Sequence, residues 1–211
     1  MLLVMQQWQA LLRLLKEKEL NLLMMNNVNI YLEANPNPNS LKFVTDRMLL
    51  DDGKIKDYPD VKSASDSPIA KHLFEFDYVE RVFIMSNFIT ITKNDQVYWD
   101  DIKIELKNYI KQHIEEGNKI VDLKKNDVKK VSSNKKIDNK IIEILDEYIK
   151  PAVEQDGGAI QFESFDKGVV KVSLQGACSG CPSSMITLKS GIEKLLKRFI
   201  PEVNEVVAEG V

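Results

Sequence analysis

The two cysteines of this 211-residue chain stand three positions apart, in Gly176-Ala177-Cys178-Ser179-Gly180-Cys181-Pro182. Zinc and iron–sulfur clusters take about four soft ligands, so one chain supplies half a site. A pair this close is also a poor structural staple, because a disulfide stabilises most when it closes a long loop. A secreted disulfide scaffold is disfavoured, and a reducing compartment, the cytoplasm, is expected. Either the pair performs dithiol chemistry or two chains pool their thiolates.

The length allows one large domain or two small ones. A hydrophobic fraction of 44% and a charged fraction of 29% are ordinary for a globular protein. The net charge of −3 gives no general reason to expect nucleic acid as a partner. That average conceals a pattern: residues 119–136 carry seven Lys against two Asp, between two acidic blocks. The connector lacks the interleaved aromatics that stack on bases, so it reads as a linker rather than a nucleic-acid patch.

Residues 1–28 are expected to be a leader or a short amphipathic helix, with Met5, Trp8, Leu12 and Leu15 at helical spacing. The segment lacks the features of a signal peptide and carries too few Arg for a transit peptide. Gln6, Gln7, Gln9, Arg13 and Lys16 interrupt it too often for a membrane span. No function is assigned to it.

Residues 29–117 form the first expected domain. Asn29–Glu33 and Leu41–Thr45 read as strands separated by Asn35-Pro-Asn-Pro-Asn-Ser40, which is turn chemistry. Asp51–Gly53 and Lys54–Ser67 read as irregular connection. Pro68–Phe74 suits a short helix capped by Ser67, with Pro at the first position. Val79–Met85 and Phe88–Thr92 form a hairpin around Ser86-Asn87. Trp99, Ile102, Leu106, Tyr109, Ile110 and Ile114 mark a helix that Gly117 stops. A Lys- and Asn-rich linker, 118–136, follows.

The second expected domain is 137–211, in the order α-β-β-α-β. Ile141, Ile142, Leu145, Tyr148 and Ile149 define a helix with Asp138 as its cap and Pro151 as a kink near its end. Asp156-Gly157-Gly158 punctuates the backbone. Ala159–Phe165 and Val169–Leu174 pair through Asp166-Lys167-Gly168. Met185, Leu188, Ile192, Leu195 and Phe199 step along a helix from Pro182, and Glu202–Ala208 closes as a strand. The fold class is therefore mixed α/β (α+β), two small domains on a basic linker.

Strand, Gly turn and helix start set the chemistry at the cysteines. Unpaired N–H groups and the positive end of the helix dipole favour a thiolate or an anionic cluster there. Gly176 and Gly180 let backbone approach a bulky inorganic ligand. Gly and Ser around the pair suggest an exposed turn, which disfavours two inert buried thiols, and three readings remain open on these grounds: a dithiol oxidoreductase, a zinc-bridged interaction module, and an iron–sulfur site. The last two need four thiolates from two chains. Against the first, Ala177 stands where thioredoxin-like pairs carry an aromatic residue, and the order of elements is not theirs.

The combination Gly176-x-Cys178-x-x-Cys181-Pro182-Ser183-Ser184 with Pro151-Ala152-x-x-x-Asp156-Gly157-Gly158 resembles the C-terminal domain of the NifU family. The segments Tyr31–Glu33, Pro36–Phe43 and Phe88–Thr92 resemble the Nfu-type N-terminal domain more softly. The resemblance implies an iron–sulfur scaffold or carrier, not an enzyme. It implies a [4Fe-4S] cluster held between two subunits by Cys178 and Cys181 of each and passed to apo-proteins. Its implied partners are a second copy of the chain, apo iron–sulfur proteins and upstream assembly proteins, with no nucleic acid and no membrane. Ala159 departs from the acidic residue or Asn common there.

Other chemistry-bearing residues read more plainly. His72 and His113, the only histidines, fall in the first domain as surface or helix residues and not as ligands. Asp156 is expected to cap the turn beside Gly157. Lys189, Lys194, Lys197 and Arg198 suit a solvated helix face, and Phe74, Phe76, Tyr78, Phe83 and Phe88 suit a core. No Ser-His-Asp set, phosphate loop or carboxylate pair stands out.

Overall fold

The structure, a computed structural model, describes residues 27–51, 53–122, 136–179 and 182–210, side chains of 182–185 excepted. The readings for residues 1–26 and for the connector between 123 and 135 fall outside them.

The chain first builds an antiparallel sheet from β1 (Ile30–Ala34), β2 (Ser40–Thr45), β3 (Ile55–Tyr58), β4 (Val79–Met85) and β5 (Phe88–Lys93). The strand order is β1-β2-β5-β4-β3, which puts β5 at the centre. β3 lies within the stretch expected to be irregular. It pairs with β4 from Ile55↔Met85 to Tyr58↔Val82. Ile-Lys-Asp-Tyr carries two charges in four residues, so the strand is set by its partner and not by local propensity.

Helix α1 (Pro68–Leu73) starts as expected: the Ser67 hydroxyl accepts the Ala70 N–H at 3.2 Å. Ser67 also donates to the Ile120 carbonyl at 2.7 Å, and Asp122 N–H bonds the Asp66 carbonyl. Residues 120–122 are thereby tied to the first sheet and its helices rather than standing free as linker. Helix α2 (Trp99–Glu115) buries Ile102, Leu106 and Ile110 against the same sheet face as Phe43, Ile84, Ile89 and Ile91. Each such large side chain contributes about 1.5–3 kcal/mol by leaving water.

Helix α3 (Lys136–Ile144) begins two residues before Asp138, which lies inside the first turn, buried, and is not the cap. It runs through a π-helical turn, Leu145–Ile149, into α4 (Lys150–Gln155), where the Lys150 N–H reaches back to the Leu145 carbonyl. Pro151 explains the widened turn, since it lacks the N–H a regular helix needs there and crowds the preceding turn. Then β6 (Gly158–Asp166) and β7 (Val169–Gly176) pair antiparallel, and β8 (Glu205–Gly210) joins β7 in parallel.

Helix α5 (Pro182–Phe199) makes the crossover between β7 and β8. Its inner face carries Ile192 and Leu196, with Leu188 and Leu195 packed beside them and Ile200 just past its end; Phe199, last in the expected line, lies outside that face. Phe199 is 37% exposed and stacks on Tyr148 at 5.7 Å. The second core is Ile141, Val172, Leu174, Ile192, Leu196 and Val206.

Candidate functional site around Cys178

Strand β7 ends at Gly176 with φ +62°, and the chain turns through Ala177, Cys178 and Ser179, whose N–H bonds the Gly176 carbonyl at 3.1 Å. Beneath this turn lies Asp156-Gly157-Gly158. Asp156 ends α4, its N–H bonding the Ala152 carbonyl at 3.1 Å while the Gly157 N–H bonds that of Glu154 at 3.0 Å. The Gly157 carbonyl accepts the Ala177 N–H at 3.2 Å, and Cys178 packs on Gly158. A Cβ at Gly158 would stand 2.9 Å from Cys178 Sγ, and one at Gly176 would stand 2.8 Å from both the Gly157 carbonyl and the Phe83 ring. The glycines that read as punctuation are thus what lets the floor and the cysteine turn touch.

Cys178 is 5% exposed. It borders a hollow of about 380 Å³ lined by Pro36, Ile149, Val153, Leu188 and Ile192 among others. Cys181 and Gly180 lie outside the described residues. Among the described residues no group of three or more His, Cys, Asp or Glu is placed to hold a metal ion. His72 sits on α1 and His113 on α2, where His113 is buried with its Nε2 3.0 Å from the Lys119 carbonyl. Lys189 pairs with Glu205 at 3.5 Å and Lys197 with Glu193, on α5.

The residues that sequence reasoning missed come from the first sheet and the turn that joins β1 to β2. Asn37 Nδ2 donates to the Ala177 carbonyl at 3.0 Å, Thr90 Oγ1 to the Gly157 carbonyl at 2.8 Å, and Lys42 Nζ to the Gln155 carbonyl at 3.1 Å. Phe83, Met85 and Phe88 pack with Ala159 in a separate apolar cluster. Phe83 and Phe88 therefore belong to the contact between the two sheets, while Phe74, Phe76 and Tyr78 pack against the first core. The available signal was the pattern of β4 and β5: Val82-Phe83-Ile84-Met85 and Phe88-Ile89 are apolar on both faces, as in a strand covered on both sides.

Asp57 on β3 lies near the same turn. It pairs with Arg81 at 2.6 Å, the two side chains being 6% and 13% exposed. Burial raises its pKa to about 6, against the opposing pull of the Arg81 guanidinium and the Gly176 N–H.

Comparison with known proteins settles the ancestry. Residues 30–117 match the family described as scaffold protein Nfu/NifU N terminal, and residues 141–207 match the NifU-like domain. The chain belongs to the Nfu/NifU family.

Similar relatives include the NFU1 iron-sulfur cluster scaffold homolog, mitochondrial, of Drosophila willistoni, 41% identical over 84% of this chain and 62% of that protein. NifU-like protein 4, mitochondrial, of Arabidopsis thaliana is 39% identical over 85% of this chain and 65% of its own length. The chain thus spans somewhat less than two thirds of each of these two relatives. A solution NMR structure of a NifU-like protein from Saccharomyces cerevisiae is similar at 26% identity and a TM-score of 0.42, over 47% of this chain and 88% of that one. The relatives' names place them in the mitochondrion, which overturns the expectation of a cytoplasmic Nfu-type protein. Cysteine usage reports redox conditions and carries no address.

Proposed function

We propose that this Nfu-type chain is an iron–sulfur scaffold and carrier whose cargo is a [4Fe-4S] cluster, held by Cys178 and Cys181 from each of two subunits. Residues 29–117 and 137–211 would serve as its two functional units, the second carrying the cargo. The observation that carries the reading is the placement of Cys178: on a turn built by glycines, between the end of β7 and the start of α5, in a chain with two cysteines in all. Relatives named iron-sulfur cluster scaffolds support it.

The residues divide the task simply. Cys178 and Cys181 supply thiolates, and two chains together reach the four that a cluster takes. Gly157, Gly158 and Gly176 allow the close backbone approach that holds the turn. The helix N-terminus beside the cysteines favours negative charge. A site divided between subunits opens when they part, which suits delivery to an apo-protein better than a cage of four cysteines in one chain. Upstream assembly proteins would load it.

Anaerobic reconstitution with iron and sulfide tests this. The expected product is a dimer with one [4Fe-4S] cluster by absorption and Mössbauer spectroscopy, which yields its cluster to an apo-acceptor. Cys178→Ala should abolish loading. A colourless monomer after reconstitution would overturn the reading, and a zinc-filled dimer that rejects iron would favour the interaction module.

A further inference from the structure

The first sheet touches the second unit where its cysteine turn is anchored. Asn37, Thr90 and Lys42 all donate to backbone carbonyls of residues 155–157 and 177, the two segments that carry and floor Cys178. Asn37 is itself held rigid: its N–H bonds Asn35 Oδ1 and its Oδ1 accepts the Asn39 N–H, both at 3.0 Å. Pro36, one residue before it, lines the hollow beside Cys178. On the other side, Ser179 borders a cleft of about 640 Å³ together with Asn37, Asn39 and Arg81. Behind these contacts the Phe83, Met85, Phe88 and Ala159 cluster closes the seam.

We propose that the first unit is an intramolecular clasp on the cysteine turn, with Asn37 and Thr90 as positioning residues that keep Cys178 inside. Docked in this way, Cys178 is 5% exposed, packed on the second core with the first unit closing over its turn. The clasp opens before that thiol serves anything outside the chain. On the shared-cluster reading, which this second step rests on, docking of the first unit and engagement of a second subunit compete for one turn. Loading then favours the open form and the apo form favours the closed one, as any equilibrium shifts towards the state its ligand prefers.

Two variants break the clasp without touching the cysteines. Asn37→Asp keeps the oxygen that accepts the Asn39 N–H but replaces the donor to Ala177 with a carboxylate facing a carbonyl. Thr90→Val keeps shape and loses the hydroxyl. Iodoacetamide is added anaerobically to the full-length apo-protein, and modification of Cys178 is followed by residue-resolved mass spectrometry. Each variant should react about fivefold faster at Cys178, the weight of one net hydrogen bond in the opening equilibrium. Far-UV circular dichroism should stay unchanged, so that faster alkylation reports opening of the clasp and not unfolding.

Unchanged or slower alkylation in Thr90→Val overturns the clasp, and that variant decides if Asn37→Asp disturbs its own turn. Reconstitution of the same samples separates the two ideas. Faster alkylation with no cluster-bound dimer supports the clasp and sinks the shared cluster; a cluster-bound dimer with unchanged alkylation does the reverse.

Discussion

Thr90 Oγ1 donates a 2.8 Å hydrogen bond to the Gly157 carbonyl, an oxygen that also accepts the Ala177 N–H. One carbonyl thus joins three pieces of chain: the central strand of the first sheet, the floor of the cysteine turn and the turn itself. The left-handed backbone at Gly157, φ +79°, aims it there, and a Cβ on that glycine would stand 2.7 Å from the Thr90 hydroxyl.

Gly176 is the position where this crowding is most exposed to test. Gly176→Ala meets both an unfavourable φ and contacts of 2.8 Å with the Phe83 ring and the Gly157 carbonyl. Gly117, at φ +70°, has nothing within 4 Å of its would-be Cβ. The left-handed conformation alone costs about 1–2 kcal/mol, and overpacking adds about 1–3 kcal/mol. Urea unfolding should therefore give about 1 kcal/mol for Gly117→Ala and about 3 kcal/mol or more for Gly176→Ala. Equal losses would show that the seam yields freely.

Much of this fold is legible in the sequence, and what is not has a common cause. The cap at Ser67, the Ser86-Asn87 hairpin, the stop at Gly117 and the α-β-β-α-β order rest on local chemistry that needs no partner. Strand β3, the outward place of Phe199 and the roles of Asn37, Lys42 and Thr90 depend on residues distant in sequence; Asn37 and Ala177 are 140 positions apart. Lys42 and Thr90 sit at strand positions that alternation assigns to solvent, and the second unit covers them. At the site, the cysteine spacing marks Cys178 as a candidate ligand, whereas its burial depends on packing within the second core.

Asp57 gives the protein a pH dependence of defined sign. Its folded pKa of about 6 lies above the ordinary carboxylate value of 3.8, because burial outweighs the Arg81 guanidinium and the Gly176 N–H. The folded state holds the proton more tightly than the unfolded chain, so this contribution is full below about pH 3.8 and is lost as pH rises through about 6. A shift of this size corresponds to about 2–3 kcal/mol across the window. Asp57→Asn should remove the slope between pH 4 and 6 in a series of urea titrations, whatever it does to the plateau by unpairing Arg81. A slope that persists in the variant assigns the dependence elsewhere.

Lys42 separates a buried contact from a surface one. Its ammonium reaches the Gln155 carbonyl at 3.1 Å, Glu33 at 3.1 Å and the face of the Phe88 ring at 4.5 Å. The Glu33 side chain is 52% exposed, and pairs of that kind contribute little. Lys42→Met keeps most of the apolar stem and should cost about 1–2 kcal/mol, while Glu33→Gln should fall within about 0.5 kcal/mol of wild type. Comparable losses in both would place the weight on the ion pair instead of the contact with Gln155.

Ile186 tests the surface that a second chain would meet. It stands five residues after Cys181 and is 75% exposed, an apolar side chain that adds nothing to the core of its own unit. A chain sharing a cluster through Cys178 and Cys181 brings its partner close to the residues that follow them. Burying an isoleucine contributes about 1.5–3 kcal/mol, so Ile186→Lys should weaken the reconstituted dimer about tenfold or more by analytical ultracentrifugation. The apo-chain should melt as wild type does, since exposed substitutions change stability by about 0.5 kcal/mol or less. A dimer of undiminished strength would place the subunit contact away from the first turns of α5, leaving the four thiolates alone to hold the chains together.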